Sequence, residues 1–95
     1  MNLSIDQIIA IVSKETGVSS NDIKKHSRKE KTVLARHLSM WACRWYTKNP
    51  MQKIASAHGK NQHGTVINAC LSIDSQSRYN PKIKALCENI INQIK

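Results

Sequence analysis

The stretch His58-Gly59-Lys60-Asn61-Gln62-His63-Gly64-Thr65-Val66 decides how this 95-residue chain folds. A short amphipathic segment precedes it, Asn49-Pro50-Met51-Gln52-Lys53-Ile54-Ala55-Ser56-Ala57, and a second follows it, Val66-Ile67-Asn68-Ala69-Cys70-Leu71-Ser72-Ile73. Two helical patterns separated by a glycine are the sequence form of a helix-turn-helix, expected here over about residues 50–74. The second helix is expected to open at Gln62 with amide, imidazole and hydroxyl side chains beside the basic Lys60. Such groups read base edges in a major groove, so the pattern implies double-stranded DNA as the partner.

The rest of the chain reads as helical too. No run alternates apolar and polar residues, and no Asn-Gly or Asp-Gly hairpin turn occurs. Ser4 with Gln7 makes a capping-box pattern, and Ile5, Ile8, Ile9 and Val12 form one apolar stripe, so a first helix is expected over residues 5–15 with Gly17 ending it. A short helix over 20–25 follows, then the basic loop His26-Ser27-Arg28-Lys29-Glu30-Lys31. A long helix is expected over 32–48, with Leu34, Leu38, Trp41 and Trp45 on its inner stripe and Arg36 and Arg44 on other faces. Asn49-Pro50 and Asn80-Pro81 each read as a cap followed by proline in the first turn. They start a helix over 50–57 and a last helix from Pro81 to Lys95, the latter with Ile83, Leu86, Cys87, Ile90 and Ile94 inward. Between them the helix of residues 62–73 buries Val66, Ala69, Cys70 and Ile73. The expectation is one all-α domain over 1–95 with about six helices, the size a single small core supports.

Charge is the second informative property. The net charge is +9, and between Lys24 and Lys60 ten basic residues face one acid, Glu30, which gives that segment +9 by itself. Outside it five basic and five acidic residues cancel. A localised positive field suits a polyanion. Within the helix-turn-helix, Gln62 can pair with adenine N6 and N7, His63 can touch a thymine methyl or a phosphate, and Thr65 offers a hydroxyl and a methyl. Asn68 lies six residues beyond Gln62, near the same face. Lys60, Asn61 and the helix N-terminus favour phosphate oxygens or cap the helix.

Two separated motifs carry a family resemblance. Gly59-Lys60-Asn61-Gln62-His63-Gly64-Thr65-Val66 is similar to the G-G-R-D-H-T-T-V pattern of the C-terminal DNA-binding domain of the bacterial replication initiator DnaA. Val33-Leu34-Ala35-Arg36-His37-Leu38-Ser39-Met40 resembles that family's V-L-P-R-Q-I-A-M, in the same register without a gap. The resemblance implies a Trp-repressor-like helix-turn-helix that binds short asymmetric boxes as a monomer. It implies that Arg28 enters the adjacent minor groove, whose negative potential attracts arginine. It places Arg36, His37 and Arg44 near the DNA backbone or bases, and His63 and Thr65 on base edges, with Val66 packing beside them. Gln62 replaces an acceptor-only Asp with an amide that also donates. Gly64 removes a methyl and a hydroxyl, and His37 stands where Gln is usual. The fold is unaffected by these changes; the target sequence is not.

Other classes of function have little support in the sequence. No G-x-x-x-x-G-K-[ST] loop for nucleotide phosphates is present. The four histidines and Cys43, Cys70 and Cys87 form no C-x-x-C or H-x-x-x-H pair, so neither a metal nor a cofactor is expected, and the cysteines read as buried thiols of a reducing compartment. The six acids are mostly isolated, so no enzyme is expected. Ser4, Asp6 and Gln7 interrupt any apolar leader, and no run is long enough to span a membrane. The expected setting is cytoplasmic and nucleoid-associated, for a bacterial or phage-encoded chain, with Met1-Asn2-Leu3 reading as the start of a stand-alone protein. The rival reading is a protein-interaction or transcription-regulatory module that uses the last helix or the Ile5 stripe. In that role the chain would compete with, or contact, a full-length replication initiator or another replication protein.

Overall fold

The computed structural model describes residues 3–25, 27–60 and 62–94. It contains six helices: α1 Ile5–Thr16, α2 Ser20–Lys24, α3 Glu30–Tyr46, α4 Met51–Ala57, α5 Gly64–Tyr79 and α6 Pro81–Ile94. No strand occurs among the described residues. Among the described residues no helix is long and apolar enough to cross a membrane.

Local chemistry sets most of the boundaries. Ser4 and Gln7 form the full capping box at the start of α1: the Ser4 hydroxyl accepts from the Gln7 N–H at 3.1 Å and the Gln7 side chain accepts from the Ser4 N–H at 2.8 Å. Gly17, at φ 77°, ends α1 in the left-handed region that L side chains rarely adopt. Ser19 caps α2 through the Asp22 N–H, and Asn80 Oδ1 accepts from the Lys82 N–H at 3.0 Å to open α6. The start of α4 differs from expectation. Pro50 itself occupies the N-cap, Asn49 lies outside the helix, and no side chain caps it.

The core is built on α3, which packs against each of the other five helices. Ile8, Ile9 and Val12 of α1, Ile23 of α2, Leu38 and Met40 of α3, Ile54 of α4, Val66 and Ile73 of α5 and Ile90 of α6 are all fully or almost fully buried. Each such side chain contributes roughly 1.5–3 kcal/mol when removed from water. The three cysteines are free and buried. Burial pushes the Cys43 thiol up to about 12 and Cys87 to about 11, and raises Cys70 as well, so all three stay protonated near neutrality.

Three expectations are corrected. Helix α5 continues past Ile73 to Tyr79, because a polar stretch without apolar periodicity still helps itself: the Gln76 side chain donates to Ser72 at 2.7 Å and Ser77 Oγ to the Asp74 carbonyl at 3.1 Å. Trp45 does not join the inner stripe. It is 56% exposed near the end of α3, while Trp41 is buried and donates its indole N–H to Asp74 at 3.2 Å. Arg36 does not lie on an outer face; it is one of the buried residues of α3. The last helix supplies Ile83, Cys87 and Ile90 to the core, with Leu86 and Ile94 packed at its edge.

Candidate nucleic-acid interface

The turn between α4 and α5 is a complete Schellman motif. The Lys60 N–H reaches the Ala55 carbonyl at 2.9 Å and the Gly59 N–H the Ser56 carbonyl at 3.1 Å. Gly59 sits at φ 73°, the left-handed conformation this closure requires. The motif reverses the chain within a few residues and fixes where α5 begins.

His58 anchors this turn from the inside. It is fully buried at the C-cap of α4. Its Nδ1 lies 2.7 Å from the Ile54 carbonyl and its Nε2 2.7 Å from Ser39 Oγ on α3. A carbonyl only accepts, so Nδ1 carries the proton and Nε2 accepts from the Ser39 hydroxyl. Burial, aided by the positive charges of Arg36 and Lys24, holds His58 below the ordinary imidazole range against the opposing pull of the Ile54 carbonyl. In the sequence His58 is only one of four histidines without a ligand pair, and no packing role is expected of it. The available signal was the buried spacing of Thr32, Ala35, Arg36, Ser39 and Cys43, which puts a hydroxyl on the inner face of α3.

Helix α5 then presents its first turns outward. Gln62, His63 and Asn68 are exposed and Thr65 is half-buried. His63 occupies the N-cap position with no side-chain hydrogen bond to the helix, so its ring is not committed to capping. Gly64 opens the helix, and a Cβ added there meets no atom within 4 Å. Asn61 lies outside the described residues. Beside this end of α5 an open groove of about 580 Å³ is lined by Ser27, Arg28, Val33, Arg36, His37, Lys60 and Thr65. The structure therefore gathers Arg28 from the basic loop, His37 from α3 and Lys60 from the turn around the start of α5. Burial, then the charges of Arg36 and Lys60, holds His37 below the usual imidazole range, so it is a neutral donor and acceptor at pH 7.

Arg36 lines the groove only from beneath. It is 4% exposed, and its guanidinium donates to three backbone carbonyls: Ile23 at 3.3 Å, Lys25, and Ser27 at 3.0 Å. Those carbonyls belong to the end of α2 and the loop that carries Arg28. Arg44 lies elsewhere, half-buried against the Cys70 thiol of α5, with its guanidinium 5.0 Å from the centre of the Trp45 ring. Among the described residues no group of three or more His, Cys, Asp and Glu side chains is placed to hold a metal ion.

A buried-core bundle with a tight glycine turn and an outward-facing second helix, edged by basic residues, defines the class: a small helix-turn-helix domain. The chain belongs to the bacterial DnaA helix-turn-helix family, whose model matches residues 5–73. Chromosomal replication initiator proteins DnaA are among its relatives. That of Thermotoga maritima is 33% identical over 91 residues, covering 95% of this chain and 20% of the relative. That of Bacteroides fragilis is 31% identical over 93 residues, covering 98% and 20%. That of Streptococcus pyogenes is 33% identical over 93 residues, covering 98% and 21%. The chain thus spans about a fifth of the length of these relatives.

Proposed function

We propose that this chain binds double-stranded DNA in a sequence-specific manner, with the start of α5 in the major groove and Arg28 in the adjacent minor groove. Gln62, His63, Thr65 and Asn68 meet base edges; Lys60, His37, Arg44 and Asn61 contact the backbone or orient the helix on it. Arg36 acts through the loop, since its donors are spent on carbonyls. The sites are DnaA-box-like or replication-origin sequences, because the relatives are replication initiators. The domain engages them as a monomer, without catalysis.

One observation carries this reading: the exposed polar start of α5 lies beside the groove of Arg28, His37 and Lys60, which come from the one segment where the net positive charge collects. A major-groove helix needs base-reading side chains flanked by backbone contacts, and this is that combination. Gln62 favours adenine, whereas Gly64 leaves a position without a side chain, so the preferred box departs from the family's usual one.

The test is selection from a random duplex pool followed by titration of the winning site at several salt concentrations. Each phosphate neutralised by the protein lowers the logarithm of affinity by about 0.9 per decade of salt. A converged site and a steep slope are expected. A flat slope, or no binding at low salt, would sink the DNA reading and leave the interaction module.

A further inference from the structure

The groove of Arg28, His37 and Lys60 lies on one flank of α5, at Thr65. A second basic feature lies on another flank. Arg44 of α3 rests against Cys70, five residues after Thr65. Five residues turn an α-helix by about 140° beyond a full revolution, so the two features face different sides of the reading helix. The Arg44 guanidinium lies over the Trp45 ring, 5.0 Å from its centre, and Trp45 is more than half exposed although Trp41, one turn earlier, is buried. Among the described residues the Trp45 indole N–H has no hydrogen-bond acceptor.

We propose that Trp45 extends the Arg44 contact into a second backbone arm. Trp45 packs on a deoxyribose of the strand opposite the one bordered by Arg28, and its ring holds Arg44 towards the neighbouring phosphate. This rests on the DNA-binding reading above and adds a contact to it. The major groove of B-DNA is about 12 Å wide, with a wall of phosphates on each side of an inserted helix. Basic contacts on one flank alone would leave α5 free to roll; contacts on both fix its orientation. With its guanidinium carbon 5.0 Å from the indole centre and one edge on the Cys70 thiol, Arg44 has further N–H donors to offer a phosphate oxygen. An indole also combines an apolar face for the sugar with a donor for the backbone. Arg44, Lys48 and Lys53 follow one another along the chain without an acid between them, and the Asp74 carboxylate near Cys70 accepts from the Trp41 indole, so the excess positive charge favours a polyanion over a protein partner.

The chain has two tryptophans and only Trp45 is exposed, so its own fluorescence reports on the site. The selected duplex is titrated into the intact chain, with iodide as the quencher, and Trp45→Ala and Trp45→Phe are compared at two salt concentrations. Expected are loss of iodide access to Trp45 at saturation, about fivefold weaker binding and a salt slope reduced by nearly one for Trp45→Ala, and a smaller loss for Trp45→Phe. Tight binding with unchanged iodide access and wild-type affinity of both variants would overturn the proposal and assign the patch to a protein partner or to solvent. Iodide access in the unmodified chain decides alone if a variant misfolds. Failure of the unmodified chain to bind any duplex at low salt would overturn both readings, a result distinct from binding that ignores Trp45.

Discussion

Replacing Arg36 by methionine separates two roles that a basic residue near DNA can play. Methionine keeps much of the aliphatic stem and removes every donor. The Ile23 carbonyl is buried, and losing a charged donor there costs roughly 1.5–3 kcal/mol. The Lys25 and Ser27 carbonyls are only partly buried and can turn to water, so each costs about 0.5–1 kcal/mol. The expected destabilisation is about 2.5–5 kcal/mol, against a total stability on the order of 5–14 kcal/mol for a domain of this size. Urea unfolding of Arg36→Met and Arg36→Lys gives the stability, and duplex titration gives the affinity and its salt slope. Affinity should fall because the loop bearing Arg28 loosens. Arg36→Lys should recover little, since one ammonium cannot span three carbonyls arranged for a planar fork. A variant as stable as the parent, but with a salt slope reduced by one, would refute the structural role and return Arg36 to the phosphate backbone.

Other perturbations test neighbouring features. His58 is held below its unfolded value, near 6.5, so the unfolded chain takes up a proton that the folded chain refuses as pH falls. Stability should therefore be level above about pH 6.5 and decline below it, by up to about 1.4 kcal/mol per pH unit for each such group. His58→Phe should flatten the decline in urea titrations from pH 7 to 5, leaving the share due to His37; an unchanged slope would remove His58 as its source. Gly64→Ala should not destabilise the fold and should add about 0.4–1 kcal/mol, since its Cβ meets open space and the unfolded chain loses freedom; a loss of thermal stability would contradict this. Gly64→Thr should fold equally well and change the sequence recovered by duplex selection, and recovery of the same site would show that position 64 does not face the bases. Gly59→Ala should cost about 1–2 kcal/mol in thermal or urea unfolding, because a left-handed residue closes the turn; a neutral effect would mean the turn relaxes.

Most boundaries that depend on local chemistry were legible in the sequence; the start of α4, where Pro50 rather than Asn49 takes the N-cap, was not. Ser4 with Gln7, Gly17, Asn80-Pro81 and Gly59 all act where their side chains or φ preferences predict. The glycine-broken segment also identified the turn and the outward helix. What could not be read depended on which face of α3 met which neighbour. A helix touched on all sides has no single apolar stripe, so Trp45 looked buried and Arg36 looked exposed by the same 3.6-residue count. Ser39 and His58 are nineteen residues apart, and their pairing exists only because α4 folds back on α3. Asp74–Tyr79 lacks apolar periodicity, and only the proline at 81 hinted that α5 could run that far.

The seven-residue helix α4 has a further consequence. A helix of this length does not persist in water by itself. Its attachment comes through Ile54, Ala55 and the imidazole of His58, whereas α3 is locked by every other helix. Protection of backbone amides against deuterium exchange should therefore step down from α3 to α4, with the amides of residues 53–60 opening locally while the bundle stays closed. Ordering that segment on a duplex would draw on binding free energy, so the domain would grip matched sites with slower amide exchange than mismatched ones. The fidelity of recognition would then be set partly by the looseness of α4.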